Sequence, residues 1–278
     1  MCKTFGNNIA VPSFIRENMA ETSSKVSSKG MRTVKVWDLA VRIFHWLLVL
    51  LIVASWATAK AKGNWMTWHM YSGYTILVLV LFRIAWGVIG STHARFSSFI
   101  YGPSRVIAYV FRQPPLKSVA YLGHNALGGW MIVVLLVCLL VQVGTGLCAN
   151  DDIVTDRPLV KWISKDLSDR MTGLHHVGFN VLLALLALHI CGALFYLFFR
   201  KDNLIVPMFT GVKNVPEHDA DRAQLTPRML DRRRTPRGAD RRRPGRPDEV
   251  RIVNAWVAVL LLALAAGFVY LLVTIKPG

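Results

Sequence analysis

Five stretches of this 278-residue chain are apolar over the length that a bilayer crossing demands. A hydrocarbon core of about 30 Å takes roughly 20 helical residues. Such runs lie near Leu39–Ala59, Trp68–Gly90, Ala126–Cys148, Leu174–Phe199 and Ile252–Thr274. In lipid only helices and closed barrels satisfy their own backbone polar groups, and continuous apolar runs of this length exclude strands. With 53% hydrophobic residues the chain is too apolar for an ordinary soluble domain. The expected class is an all-α integral membrane protein, a four-helix transmembrane bundle plus one additional C-terminal transmembrane helix.

The net charge of +17 is distributed as in a membrane protein and not as in a nucleic-acid binder. The segment up to Phe44 holds 7 Lys/Arg, residues 91–123 hold 4 and residues 200–251 hold 14, against 7 in all on the opposite side. The positive-inside rule then puts the N-terminus in the cytoplasm of a multi-pass protein in the bacterial inner membrane. Asp151, Asp152, Asp156, Asp166 and Asp169 fall in the third connection, which suits an extracytoplasmic loop. The stretch before the first span carries no signal peptide and leads directly into a retained helix.

Within this apolar frame, His45, His69, His175 and His189 lie inside or at the mouths of the spans. Ionisable residues there are costly and usually mark function. His175 and His189 are 14 residues apart, which on one helix places them about 40° apart in angle and about 21 Å apart in depth. Alternating spans bring His69 beside His175 at the outer level and His45 beside His189 at the inner level. Two imidazoles from different helices at each level suit two bis-His haem b groups, whose filled coordination favours electron transfer. The 13-residue step from His176 to His189 turns the helix about 140°, so His175, not His176, is expected to be the outer ligand. Four scattered cysteines and no C-x-x-C-H motif exclude covalent c-type attachment.

Other residues gather around these positions. Gly73, Gly178 and Gly192 follow His69, His175 and His189 by four, three and three residues, where a flat macrocycle needs faces without bulk; small-residue helix packing is the competing account. Arg83 stands 14 residues after His69, one level further inward, and with Arg42 is a candidate for an inner haem propionate; snorkelling to the interface is the other reading of Arg83. His124 opens the third span and reads as a propionate or quinone contact or as a satisfied interfacial histidine. His93 and His218 are expected to face solvent, and Gln142 to make an interhelical hydrogen bond.

Trp37-Asp38 with Arg42-Ile43-Phe44-His45-Trp46, then His69-x3-Gly73-Tyr74 with Arg83-x2-Trp86-Gly87, resembles the bacterial di-haem b-type cytochromes. That family includes cytochrome b-561 and the b-type cytochrome subunits of nickel–iron hydrogenases. Gly123-His124-Asn125-Ala126-Leu127-Gly128, Thr145-Gly146 and His175 through His189 to Gly192 extend the likeness over about residues 34–210. Ala126 stands where the family often has Pro, and His176 where an acidic residue often follows the ligand. The resemblance implies two haem b groups and electron transfer across the cytoplasmic membrane.

The expected organisation is a disordered cytoplasmic tail over 1–33, a di-haem four-helix domain over 34–210, an Arg/Pro-rich cytoplasmic linker over 211–250 and a fifth transmembrane helix over 251–278. The linker's Arg232-Arg233-Arg234 and Arg241-Arg242-Arg243 suit solvation or contact with anionic lipid. The fifth span has no charged residue or histidine in its interior and reads as an appended anchor. Three functions compete. The first is a stand-alone conduit between quinone or quinol and an extracytoplasmic partner such as a c-type cytochrome. The second is the membrane anchor of a hydrogenase-like oxidoreductase complex. The third, a transporter with a histidine proton relay, is disfavoured because the span interiors hold no Asp or Glu.

Overall fold

The computed structural model describes residues 30–61, 63–111, 123–150, 158–216 and 253–275. In chain order these form β1 (Met31–Lys35), α1 (Leu39–Ala61), α2 (Trp65–Ile89), α3 (Phe96–Phe99), α4 (Pro103–Phe111), α5 (Ala126–Cys148), α6 (Lys165–Phe198), α7 (Ile205–Thr210), β2 (Val212–Pro216) and α8 (Ala255–Thr274). Five of the helices, α1, α2, α5, α6 and α8, are long and apolar enough to cross a membrane.

Local chemistry explains where each span starts and stops. The turn from α1 into α2 passes through Gly63 at φ +62, a left-handed value that glycine adopts without strain. At the end of α2, a Cβ on Gly90 would lie 2.3 Å from the Trp86 carbonyl, so only glycine fits. Asn125 caps α5 by accepting from Gly128 N at 2.7 Å. Ser164 caps α6, and the pairs Lys165–Asp169 and Asp166–Arg170 extend its polar first turns. This carries α6 nine residues beyond the apolar start at Leu174, to 34 residues in all. At 1.5 Å per residue it is about 51 Å long, well over the hydrocarbon thickness. On this face Asn150 donates to Ser168 Oγ at 2.9 Å and Asp169 at 2.7 Å, and Ser168 donates to the Cys148 carbonyl at 2.7 Å, pinning α5 to α6.

The spans form two antiparallel hairpins. α1 packs along α2 and α5 along α6, and α2 also lies against α5. Val80, Trp86, Leu136, Leu139 and Leu182 are among the buried residues at the centre. The fifth span is no detached anchor: α8 packs on α2, with Val269 buried and Val257, Leu261, Leu272 and Val273 against the core. A span without charges buries one face in protein as readily as in lipid, so composition alone did not reveal this contact.

One element is not helical. β1 and β2 pair antiparallel, from Met31 opposite Pro216 to Lys35 opposite Val212. Residues 31–33, expected in the tail, and 212–216, expected in the linker, therefore belong to a ribbon sealing the end of the bundle where α1 begins and α6 ends. The remainder of both segments lies outside the described residues. Val36 N and Trp37 N donate to the Gly211 carbonyl at 2.9 and 3.1 Å, joining the ribbon to α7.

Asp38 fixes the start of α1 against α2. One carboxylate oxygen accepts from Val41 N at 2.8 Å and the other from Trp86 Nε1 at 3.0 Å. Arg83, one turn before Trp86, lies in the field of the same carboxylate. Asp38→Ala should therefore destabilise the purified protein by about 2–4 kcal/mol, losing a cap, a charge-assisted bond and a counter-charge. Asp38→Asn, which keeps an oxygen for the cap, should lose less. Thermal unfolding in detergent checks both, and an Ala variant as stable as the parent would remove Asp38 from this role.

Candidate functional site

At the end of the bundle away from the ribbon, His69 from α2 and His175 from α6 face each other. Their ring centroids are 6.1 Å apart with the planes at 85°. His69 Nδ1 lies 2.9 Å from the Ser55 carbonyl on α1 and 3.1 Å from Ser55 Oγ. His175 Nδ1 lies 2.9 Å from the Gln142 carbonyl on α5. A carbonyl only accepts, so in both rings the proton sits on Nδ1 and the lone pair on Nε2. Each imidazole is thus oriented by the helix preceding its own, as metal-binding histidines commonly are.

This pair suits a metal held between two imidazoles. A metal–nitrogen bond of about 2 Å on each side, plus roughly 1 Å from nitrogen to ring centre, requires centroids about 6 Å apart. Among the described residues no group of three or more His, Cys, Asp or Glu converges as for a bare ion. A haem iron takes four ligands from its porphyrin and asks only two of the protein. His176, whose ring centroid is 6.4 Å from that of His175, is exposed on the other side of α6.

Nearer the ribbon, His45 on α1 and His189 on α6 are half-buried and lie within electrostatic reach of each other. His45 Nδ1 is buried without a hydrogen-bond partner, unlike the corresponding atoms of His69 and His175. His124 sits between Trp37 and Phe99, with ring centroids at 4.6 and 5.3 Å. Burial, with the charge of Arg83 and the imidazoles of His189, His45 and His93 adding to it, pushes His124 down to about 3 and keeps it neutral. His93 does not face solvent as expected; it is half-buried near Gly123, and burial lowers its pKa.

Arg83 is 3% exposed, with its guanidinium 5.3 Å over the Phe96 ring and Nη1 lacking any partner. Snorkelling would place that nitrogen in water; here it is enclosed. Arg42 points elsewhere: its Nη1 donates to the Phe209 carbonyl just past the bundle, while its Nε is buried without a partner. Trp46 Nε1 donates to the neighbouring Met208 carbonyl at 3.2 Å.

The glycines divide into two sorts. A Cβ on Gly73 or Gly192 would meet nothing within 4 Å, leaving open faces near His69 and His189. Gly178 instead makes room for Gln142, whose Oε1 would lie 2.5 Å from a Cβ there. Gly146, not singled out among the candidates, does the same for His175, whose Cε1 would lie 2.9 Å away. Gln142 makes the expected interhelical bond, donating from Nε2 to the His175 carbonyl at 3.0 Å. Sequence spacing also missed Ser55, whose contribution is mostly its carbonyl, a group every residue carries.

The sequence model of the family described as prokaryotic cytochrome b561 matches residues 36–211. A relative from Bradyrhizobium diazoefficiens, named "Probable Ni/Fe-hydrogenase B-type cytochrome subunit", is 23% identical over 228 residues, covering 69% of this chain and 91% of its own length. No solved structure matches. Five spans and the family match converge: the chain belongs to the prokaryotic cytochrome b561 family and is a membrane cytochrome b of electron transfer.

Proposed function

We propose that this protein carries electrons across the inner membrane through two bis-His haem b groups, one held by His69 and His175 and one by His45 and His189. The observation that carries the reading is the facing of His69 and His175 at 6.1 Å, with both Nδ1 atoms held by carbonyls of neighbouring helices. Haem b, when bound, supplies one-electron exchange at an iron with no open position. The chain's own residues do the rest. Ser55 and Gln142 fix the imidazole planes, Gly73 and Gly192 leave flat faces, and Arg83 and His124 line the inner level. The buried Nη1 of Arg83 is matched to a propionate oxygen, which would satisfy it and offset its charge.

The conduit connects quinone or quinol with an extracytoplasmic partner such as a c-type cytochrome. A second reading, favoured by the name of the Bradyrhizobium relative, makes the chain the membrane subunit of a hydrogenase-like oxidoreductase. The redox core serves both, and mild-detergent purification separates them by whether an oxidoreductase subunit co-migrates.

Haem analysis tests the central claim. The purified protein should hold two acid–acetone-extractable haems per chain. His175→Ala should lose one of them, while His176→Ala keeps both. One haem in the parent, or loss on replacing His176 alone, would overturn the assignment.

Arg83→Leu should lower the inner haem's midpoint potential by roughly 60 mV, the one-electron equivalent of about 1.4 kcal/mol, because a nearby positive charge favours the reduced centre. Redox titration reads this directly, and an unmoved potential would detach Arg83 from the propionates.

The Lys/Arg distribution along the sequence supports a cytoplasmic ribbon side and, after five spans, a C-terminus outside. A reporter enzyme active only after export should work when fused at Gly278. Activity of a cytoplasmic reporter there would reverse the orientation or remove a crossing.

A further inference from the structure

His45 differs from the outer histidines in one respect that its surroundings explain. His69 and His175 are each held by a carbonyl of a neighbouring helix, whereas His45 Nδ1 has no partner. Its orientation rests on where the backbone of α1 is placed. The helix across the inner level, α6, packs mainly on α5, and α1 mainly on α2. Direct packing between α1 and α6 therefore does little to set the span from His45 to His189.

The chain leaving α6 provides that setting. Asp202 N donates to the Tyr196 carbonyl at 3.0 Å, in the last turns of α6, and Tyr196 Oη accepts from Asn125 at the start of α5. Asp202 also pairs with Lys213 of β2 at 2.7 Å, and Lys213 is largely buried. Between these anchors α7 is capped by Asn203, which accepts from Ile205 N and Val206 N at 3.0 Å each. α7 then presents its last carbonyls to α1. Arg42 takes that of Phe209 and Trp46 takes that of Met208, while the Trp46 ring stacks on Phe209 at 4.2 Å. Gly211, at φ +82, lets the chain turn beneath the guanidinium; a Cβ there would lie 3.2 Å from Arg42 Cζ. Arg42 and Trp46 bracket His45 in sequence, and the Trp46 ring stands edge-on to His45 at 5.0 Å.

We propose that Arg42 and Trp46 are positioning residues for the inner ligand pair: their clasp on the Phe209 and Met208 carbonyls ties α1 to the outgoing chain of α6 and so sets how His45 faces His189. This rests on the two-haem reading above, and it replaces a charge role for Arg42 with a geometric one. The neutral member, Trp46, separates the two roles.

The test uses the full-length purified protein with its haems. In low-spin bis-imidazole haems the low-field electron paramagnetic resonance line follows the angle between ligand planes. Trp46→Phe keeps the stack and removes only the indole N–H; Arg42→Gln removes the charge and the fork. Both should displace one haem's low-field line and leave the other unmoved, and loss of that single haem would support the same conclusion. If Arg42→Gln acts while Trp46→Phe is silent, Arg42 works by charge and the clasp is overturned. Disturbance of both haems by Trp46→Phe would also overturn it, as general damage. A parent protein with one haem signal would instead sink the two-haem reading before any variant is made.

Discussion

The pairing of imidazole N–H groups with backbone carbonyls of adjacent helices is the interaction on which the arrangement of the candidate site depends. A helix interior normally keeps its carbonyls occupied, but a second lone pair remains on each oxygen. Ser55 and Gln142 lend that lone pair to His69 and His175. The arrangement works only because α1 and α5 lie tightly against the helices bearing the two imidazoles. Gly146 shows how tightly, since no side chain fits between it and the His175 ring. Helix packing and imidazole orientation are one constraint, and in lipid, where no hydrophobic force drives helices together, close packing and interhelical hydrogen bonds share that task.

The ribbon end of the molecule handles charge differently. Arg83, buried in the bundle, lies in the field of the half-buried Asp38 carboxylate. Asp38 divides its two oxygens between a helix cap and an indole, while Arg83 keeps Nη1 unassigned. The imbalance points inward. His124, neutral and enclosed by aromatic rings, adds polarity to this level without adding charge.

How much of this is written in the sequence depends on the range of the interaction. The five spans and the opposition of His69 to His175 follow from hydrophobic length and helical arithmetic, both local, and the fold agrees with them. The polar first turns of α6 were missed because apolar length marks the membrane, whereas Ser164 and two i,i+4 pairs mark the helix. The β1–β2 ribbon was invisible: five residues with little alternation, whose partner lies some 180 positions away, give no periodic signal. The bond from Arg42 to the Phe209 carbonyl was missed for a related reason, since spacing cannot reveal a partner 167 positions away. The roles of Gly73, Gly178 and Gly192 looked alike by spacing and proved unlike in surroundings.

The ribbon also orders the assembly of the protein in time. Strand β1 leaves the ribosome first, yet its partner β2 follows only after four spans have been made. A two-stranded ribbon is marginal by itself, and contacts so distant in sequence form only once the intervening chain has been brought together. Met31–Lys35 must therefore wait, unpaired, through the synthesis of the first four spans. Closure of the ribbon is therefore late in assembly, and a chain halted before β2 would leave the strand edge at Val34 unpaired.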